Sequence, residues 1–236
     1  MRIDEIGGML PPSITLGRYP IVVLYADGRL IMQGPQIEIY PGPALPNLQV
    51  TQLTERGVEQ VLEWAADAGL VGADRFLGQP MLDASQMTFT VVRPEGRHVT
   101  TVADLSVADP ETGALRQFQD LILSIHQWLP NDVVGGDQPF AWNRLQILTT
   151  PADPANLPDP QLANIVDWPL APLATLGAGD VDARCAVIEG SDLETLRSGL
   201  ANVNELTLWR SDDVIYSVQL HPLLPDDEGC RGIAPG

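Results

Sequence analysis

The chain of 236 residues contains no lysine: all 13 of its basic residues are arginine, set against 31 aspartates and glutamates for a formal net charge of −18. Without lysine there is neither Schiff-base chemistry nor a phosphate-binding P-loop. Nucleic-acid affinity rests on neutralising phosphates with cations, so a surface this acidic excludes nucleic acid as a partner. Adhesion to anionic lipid through the folded surface is disfavoured for the same reason. Arginine as sole cation, beside 21 prolines, fits the codon bias of a GC-rich genome.

Other absences narrow the chemistry further. The three histidines, His98, His126 and His221, are far apart, and neither a His-Glu-x-x-His zinc motif nor an Asp-x-Asp-x-Asp-Gly calcium loop is present. Asp153, Asp159, the pair Asp180 and Asp182, and the run Asp226, Asp227, Glu228 read as solvated acidic loops rather than weak Ca²⁺ sites. No Gly-x-Ser-x-Gly elbow occurs, and the short Gly135-Gly136 and Gly177-Ala-Gly179 runs lack the strand-to-helix dinucleotide fingerprint. No cofactor and no bound metal are expected. With 31 acids in the chain, carboxylate pairs arise by chance and do not point to glycoside hydrolysis.

No uninterrupted apolar stretch approaches the roughly 20 residues that span a bilayer, so no transmembrane segment is expected. Met1-Arg-Ile-Asp-Glu5 lacks the basic-then-apolar order of a signal peptide. If the protein is exported, the expectation is that its targeting segment lies outside this sequence and that Met1 is an added start.

Cysteine is scarce but placed suggestively. Cys185 sits in an apolar run and Cys230 in the polar tail after Leu223-Leu-Pro225, so the terminus can fold back over a strand. Read this way, the pair is one structural disulfide and marks an oxidising compartment. Closing so long a loop is worth roughly 4 kcal/mol in the chain-entropy picture. The alternative is two unrelated thiols, one buried in a strand and one in the tail.

What is present is the patterning of a folded chain, with 44% hydrophobic residues. Three hairpins are marked by their turns: residues 21–25 and 29–32 around Asp27-Gly28, residues 87–92 and 98–102 around Arg93-Pro-Glu-Gly96, and residues 206–209 and 214–220 around Ser211-Asp-Asp213. One helix is predicted from N-cap Thr54, with Val58, Val61, Leu62 and Ala65 on its apolar face and Gly69 at its end. A longer one is predicted near 111–129, carrying Leu115, Phe118, Ile122, Ile125 and Leu129. A third is predicted from a capping box, Ser191 with Glu194, with Leu193, Leu196, Leu200 and Val203 buried. Between them prolines rule out a long continuous helix, and residues 144–148 read as one strand.

The fold class that follows is α+β: two helix-on-antiparallel-sheet units joined by a proline-rich irregular segment. Expected boundaries are an N-terminal unit over 1–130, a connection over 131–182 and a C-terminal unit over 183–236 closed by the disulfide.

Several stretches carry a resemblance: Gly34-Pro-Gln-Ile-Glu-Ile-Tyr-Pro-Gly-Pro-Ala-Leu-Pro46, Asp167-Trp-Pro-Leu170, the segment around Cys185, Ala201-Asn202 followed by Leu206-Thr-Leu-Trp209, and His221-Pro-Leu-Leu-Pro-Asp226 through Cys230. Together they resemble a group of exported, often lipid-anchored bacterial proteins of GC-rich lineages whose function is unknown. The Tyr25-Ala-Asp-Gly28 hairpin, helix and second hairpin are similar to a broader family of secreted domains. The resemblance implies an extracellular or cell-surface location and a disulfide. It carries no catalytic residues, and this sequence departs from it in having no lipid-attachment cysteine near Met1.

The remaining recognition candidates are aromatic. Five tryptophans stand against four tyrosines and four phenylalanines. Trp64 falls on the flank of its helix, where it either contacts a ligand or covers the rim of the core. Trp142 and Trp168 sit in the irregular middle and are candidates to line a groove. The function expected is a non-enzymatic binding or envelope-associated module whose partner is a protein or a cell-envelope component. The alternative is a hydrolase that pairs His126 or His221 with an aspartate.

Overall fold

The protein is described from a computed structural model over residues 1–8, 18–79, 84–107, 109–157, 159–179 and 182–230. It is an α+β protein with two compact units, each built on its own sheet. The first comprises the N-terminal strand with Tyr19–Gly34 and Asn47–Phe140, and the second Pro35–Pro46 with the chain from Ala141 onward.

In the first unit the strands are β1 (Arg2–Gly7), β2 (Val22–Leu24), β3 (Arg29–Gln33), β4 (Leu48–Gln52), β5 (Arg75–Leu77), β6 (Ser85–Arg93), β7 (Gly96–Val102) and β8 (Gln138–Pro139). Their order in the sheet is β5-β7-β6-β1-β2-β3-β4-β8. The first two expected hairpins are β2–β3 and β6–β7, and β1 lies between them, paired with both. The helices are α1 (Glu55–Asp67), α2 (Pro110–Leu123) and α3 (Ile125–Trp128). Helix α1 begins as its sequence predicts: Thr54 Oγ1 accepts from the Gly57 N–H at 3.3 Å, and Gly69 follows its end at φ +74°. The stretch expected as one helix over 111–129 is broken at Ser124, whose φ of −115° and ψ of 33° leave the helical region. Its start is capped by Asp109, which accepts from the N–H groups of Thr112 and Glu111; the Thr112 bonds foremost hold its carboxyl below the usual range.

One core unites these elements. Alternate strand residues Ile3, Leu30, Phe89 and Val91 pack with Val61 and Ala65 of α1 and with Leu115, Phe118 and Ile122 of α2, so the helical stripe and the strand alternation bury each other.

The second unit holds β9 (Arg144–Pro151), β10 (Ile165–Asp167), β11 (Ala178–Gly179), β12 (Arg184–Glu189), β13 (Leu208–Ser211) and β14 (Val214–Pro222), in the order β10-β13-β14-β9-β12-β11. The third expected hairpin is β13–β14, turned by Asp212 at φ 53° and Asp213. Helix α4 (Gly190–Gly199) buries Leu193 and Leu196 against Leu145, Ile147, Ala186 and Ile188. Its start corrects the capping-box expectation. The N-cap is Glu189 without a side-chain bond, Ser191 lies within the first turn, and Glu194 instead accepts from Arg197 Nη1 at 2.9 Å.

Two further features depart from the sequence reading. Each sheet is mixed rather than wholly antiparallel, because β5 joins β7 and β10 joins β13 in parallel at an edge. The stretch 131–182, read as a connection with one strand, supplies β8, β9, β10 and β11. Of these β9 lies inside the second sheet, between β12 and β14, and is the longest of the four at 8 residues.

Candidate functional site

The two cysteines are joined. Cys185 on β12 and Cys230 in the returning tail form a disulfide with Cα atoms 5.6 Å apart, within the span such a bond requires. Nearby, Gly229 adopts φ +74°, and a Cβ there would come within 2.7 Å of Val187 Cγ2; only glycine lets the tail lie this close to the sheet.

Trp64 projects from α1 over the first core, half-buried, and lines an open groove between α1 and α2 with a volume of about 270 Å³. Two small residues, Ala68 and Ala114, line it from the two helices. Phe118 and Leu121 add apolar surface, and Asp67 and Gln117 add a carboxylate and an amide. Such a groove suits an apolar side chain flanked by a donor.

Trp142 and Trp168 lie elsewhere. Arg197 of α4 stacks its guanidinium 4.5 Å from the Trp142 ring centroid and donates through Nη2 to the Trp142 carbonyl, so this half-buried indole is held by the protein's own cation. Trp168 is only 8% exposed. Its ring meets Trp209 edge to face at 5.3 Å, and its Nε1–H donates to the Ala171 carbonyl at 3.0 Å. Because β10 runs beside β13, the residue after it is drawn into the core by a bond from the Trp168 N–H to Arg210 O.

The histidines separate clearly. His221 is 6% exposed on β14, opposite Gln146 of β9. His98 places Nδ1 2.5 Å from the Gly72 carbonyl and so fastens a loop to β7. His126 on α3 lies with Nε2 2.8 Å from Asp137 Oδ1, and the same oxygen accepts from the Thr51 hydroxyl. The segment carrying Asp137 runs antiparallel to β4: Gly135 N–H donates to Gln52 O at 2.8 Å and Thr54 N–H to Val133 O at 3.0 Å. That pairing sets Asp137 beside Thr51. The Thr51 hydroxyl first, and His126 second, hold the Asp137 carboxyl below its usual range. The arrangement orients an imidazole with a carboxylate, and places the threonine hydroxyl on the carboxylate rather than on the far ring nitrogen where a nucleophile would sit.

The acidic loops are engaged locally. Asp153 caps a short 3₁₀ turn through the Ala155 N–H, Asp159 Oδ2 accepts from the Tyr40 hydroxyl at 2.7 Å, and Asp227 accepts from the Leu224 N–H. Asp180 lies outside the described residues. Among the described residues no group of three His, Cys, Asp or Glu side chains is placed to hold a metal ion, and no helix is long and apolar enough to cross a membrane.

Sequence reasoning missed one concavity. A notch of about 460 Å³ opens in the second unit beside β14, lined by Leu148, Thr150, Ser217 and Gln219 on one side and by Ala44 and Glu205 on another. Its residues come from four separated stretches, so no local motif announces it. No protein-family model, no curated protein and no solved structure matches this chain.

Proposed function

We propose that the protein is an exported or cell-surface, non-enzymatic binding module that engages a protein or a cell-envelope component. The single observation that carries the export half of this reading is the Cys185–Cys230 bond, since disulfides form and persist where thiols are not kept reduced. The resemblance to exported bacterial proteins agrees with it. The binding half is supported by two open concavities on packed scaffolds, one beside Trp64 and one beside β14. Acid-quenching the native cells and alkylating their thiols tests the compartment. Both cysteines should resist alkylation until reductant is added, and free thiols at both positions overturn export.

A second reading rests on the His126–Asp137 pair at 2.8 Å: a hydrolase that uses this imidazole as general base. Turnover of a screened ester, peptide or glycoside that disappears in His126→Ala supports it. Turnover that survives the substitution removes it.

A further inference from the structure

The notch beside β14 has the features of a slot for an added strand. On one side β14 is paired with β9 from Tyr216 to Pro222. On the other, β13 covers only Val214 to Ser217. Two bonds fix the phase of the ladder: Ala152 N–H donates to Ile215 O at 2.9 Å, and Leu223 N–H to Arg144 O at 3.0 Å. In an antiparallel pair, residues that exchange backbone bonds alternate with those that face away. Odd-numbered residues of β14 therefore address β9, and Tyr216, Val218 and Leu220 address the opposite side. At Tyr216 that side is taken by Trp209. At Leu220 no strand of the described residues lies there.

What would have continued β13 has turned aside. Thr207 spends its N–H on the Asn204 carbonyl at 3.0 Å, while its hydroxyl accepts from the Asn204 N–H and donates to Asn164 Oδ1. The backbone of Leu220 is left facing the cavity. The far wall is fixed as well: Glu205 N–H donates to Gly42 O at 2.9 Å, and Gly42 N–H donates back to Glu205 Oε1 at 2.7 Å. The second carboxylate oxygen of Glu205 has no hydrogen-bond partner among the described residues, and no arginine lines the notch.

An unfilled ladder position, a polar lining of Thr150, Ser217 and Gln219, and a carboxylate with an open oxygen together select the occupant. We propose that the notch binds an extended peptide segment of a partner protein by strand addition alongside Val218–Leu220, with a cationic side chain of that segment meeting Glu205. Main-chain bonds supply the attachment, and the charge supplies the choice of partner. A polyhydroxylated ligand would find the hydroxyls but no aromatic face to stack on among the lining residues. This inference rests on the reading of the protein as a binding module and names the chemistry of its partner.

The test titrates isotope-labelled full-length chain with acetyl-Thr-Val-Arg-Val-Thr-amide and follows backbone amide signals. Signals of Val218–Leu220 and of Asn204 and Glu205 should move, and the Leu220 amide should gain exchange protection. Glu205→Gln should weaken binding about tenfold, the loss of one charge-assisted contact. A peptide with glutamate in place of its arginine, and one methylated on alternate backbone nitrogens, should fail to bind. Ser217→Arg, which sets the protein's own cation in the notch, should block the peptide while the remaining spectrum shows the fold intact. Absence of shifts at Val218–Leu220 up to about 5 mM peptide, or binding indifferent to N-methylation, overturns the proposal. Shifts clustered elsewhere overturn the notch but leave a binding module with another site. Reduced cysteines in native cells overturn export and leave the notch result standing.

Discussion

The backbone N–H of Cys230 donates to Oε1 of Gln146 at 2.7 Å, so the tail that is covalently tied to β12 is also hydrogen-bonded to β9. One short segment thereby clamps two neighbouring strands of the second sheet. The closed loop spans 45 residues, and the chain-entropy model assigns such a closure roughly 4 kcal/mol. Reduction, or the double substitution Cys185→Ser with Cys230→Ser, should lower the urea midpoint by an amount equivalent to about 2–4 kcal/mol. Intact mass of the untreated protein should fall two hydrogens below that of the reduced chain. An unchanged midpoint would show that the tail contributes nothing to the stability of the sheet.

Gly28 closes the β2–β3 hairpin at φ +85°, and a Cβ there would lie 2.2 Å from the Leu53 carbonyl oxygen. Strain from the left-handed backbone adds to displacement of a neighbouring main chain whose N–H is bonded to Gly28 O at 2.8 Å. Gly28→Ala should therefore cost more than the about 1 kcal/mol of a simple left-handed alanine, read as a loss in chemical-denaturation midpoint. Gly113, whose Cβ would meet nothing within 4 Å inside α2, supplies the control. Gly113→Ala should stabilise by up to about 1 kcal/mol.

These two glycines show what the sequence makes legible. Asp27-Gly28 marks its hairpin because the turn itself demands a residue type, and Thr54 and Gly69 mark the ends of α1 for the same local reason. The α+β class follows from such signals, and so does the burial of the stripe from Leu115 to Leu129. Strand β1 escapes because Arg2-Ile-Asp-Glu-Ile6 has only Ile3 buried, with Ile6 exposed; its place inside the sheet is decided by long-range pairing with Thr90 and Val23. Ser191 and Glu194 have the spacing of a capping box, yet no side chain caps this helix start and Glu194 is engaged by Arg197 of its own helix. The cysteine pair was readable from its placement. The notch was not, since Ala44, Glu205 and Gln219 meet only through tertiary structure.

Acid should act on the first unit partly through Asp137. Its carboxyl is held low by the Thr51 hydroxyl and by His126, so the folded state binds its proton less readily than the unfolded chain does. The stabilisation is therefore complete above the ordinary carboxylate pKa of about 4 and is lost as pH falls through the lower folded value. Because the Asp137 side chain is half exposed, its contribution is screened to under about 1 kcal/mol. Removing the hydroxyl in Thr51→Val should raise the carboxyl's pKa toward its ordinary value, read by carbon NMR of the labelled aspartate. Stability below pH about 3 should then differ less between variant and parent than it does at neutral pH. An unchanged titration would mean that the hydroxyl does not hold the carboxylate.

Trp64 and Trp168 differ in how deeply they are packed, and their substitution energies should differ in the same way. Trp168 is 8% exposed, stacked edge to face on Trp209, and grouped with Leu173 and Tyr216 in the second core. Truncation there leaves a large cavity and an unpaired Ala171 carbonyl, so Trp168→Ala should cost about 3–5 kcal/mol. Trp64 covers only the rim of the first core and opens onto the groove between α1 and α2. Trp64→Ala should cost no more than about 1–2 kcal/mol, because solvent already reaches part of the ring. The two variants also divide the fluorescence: loss of Trp64 should remove part of the quencher-accessible emission, the larger part of which belongs to Trp128 at 58% exposed, while loss of Trp168 should remove protected emission. A Trp64→Ala variant as damaged as Trp168→Ala would make the Trp64 ring a core element. The groove beside it would then be a by-product of helix packing rather than a surface held open for a partner.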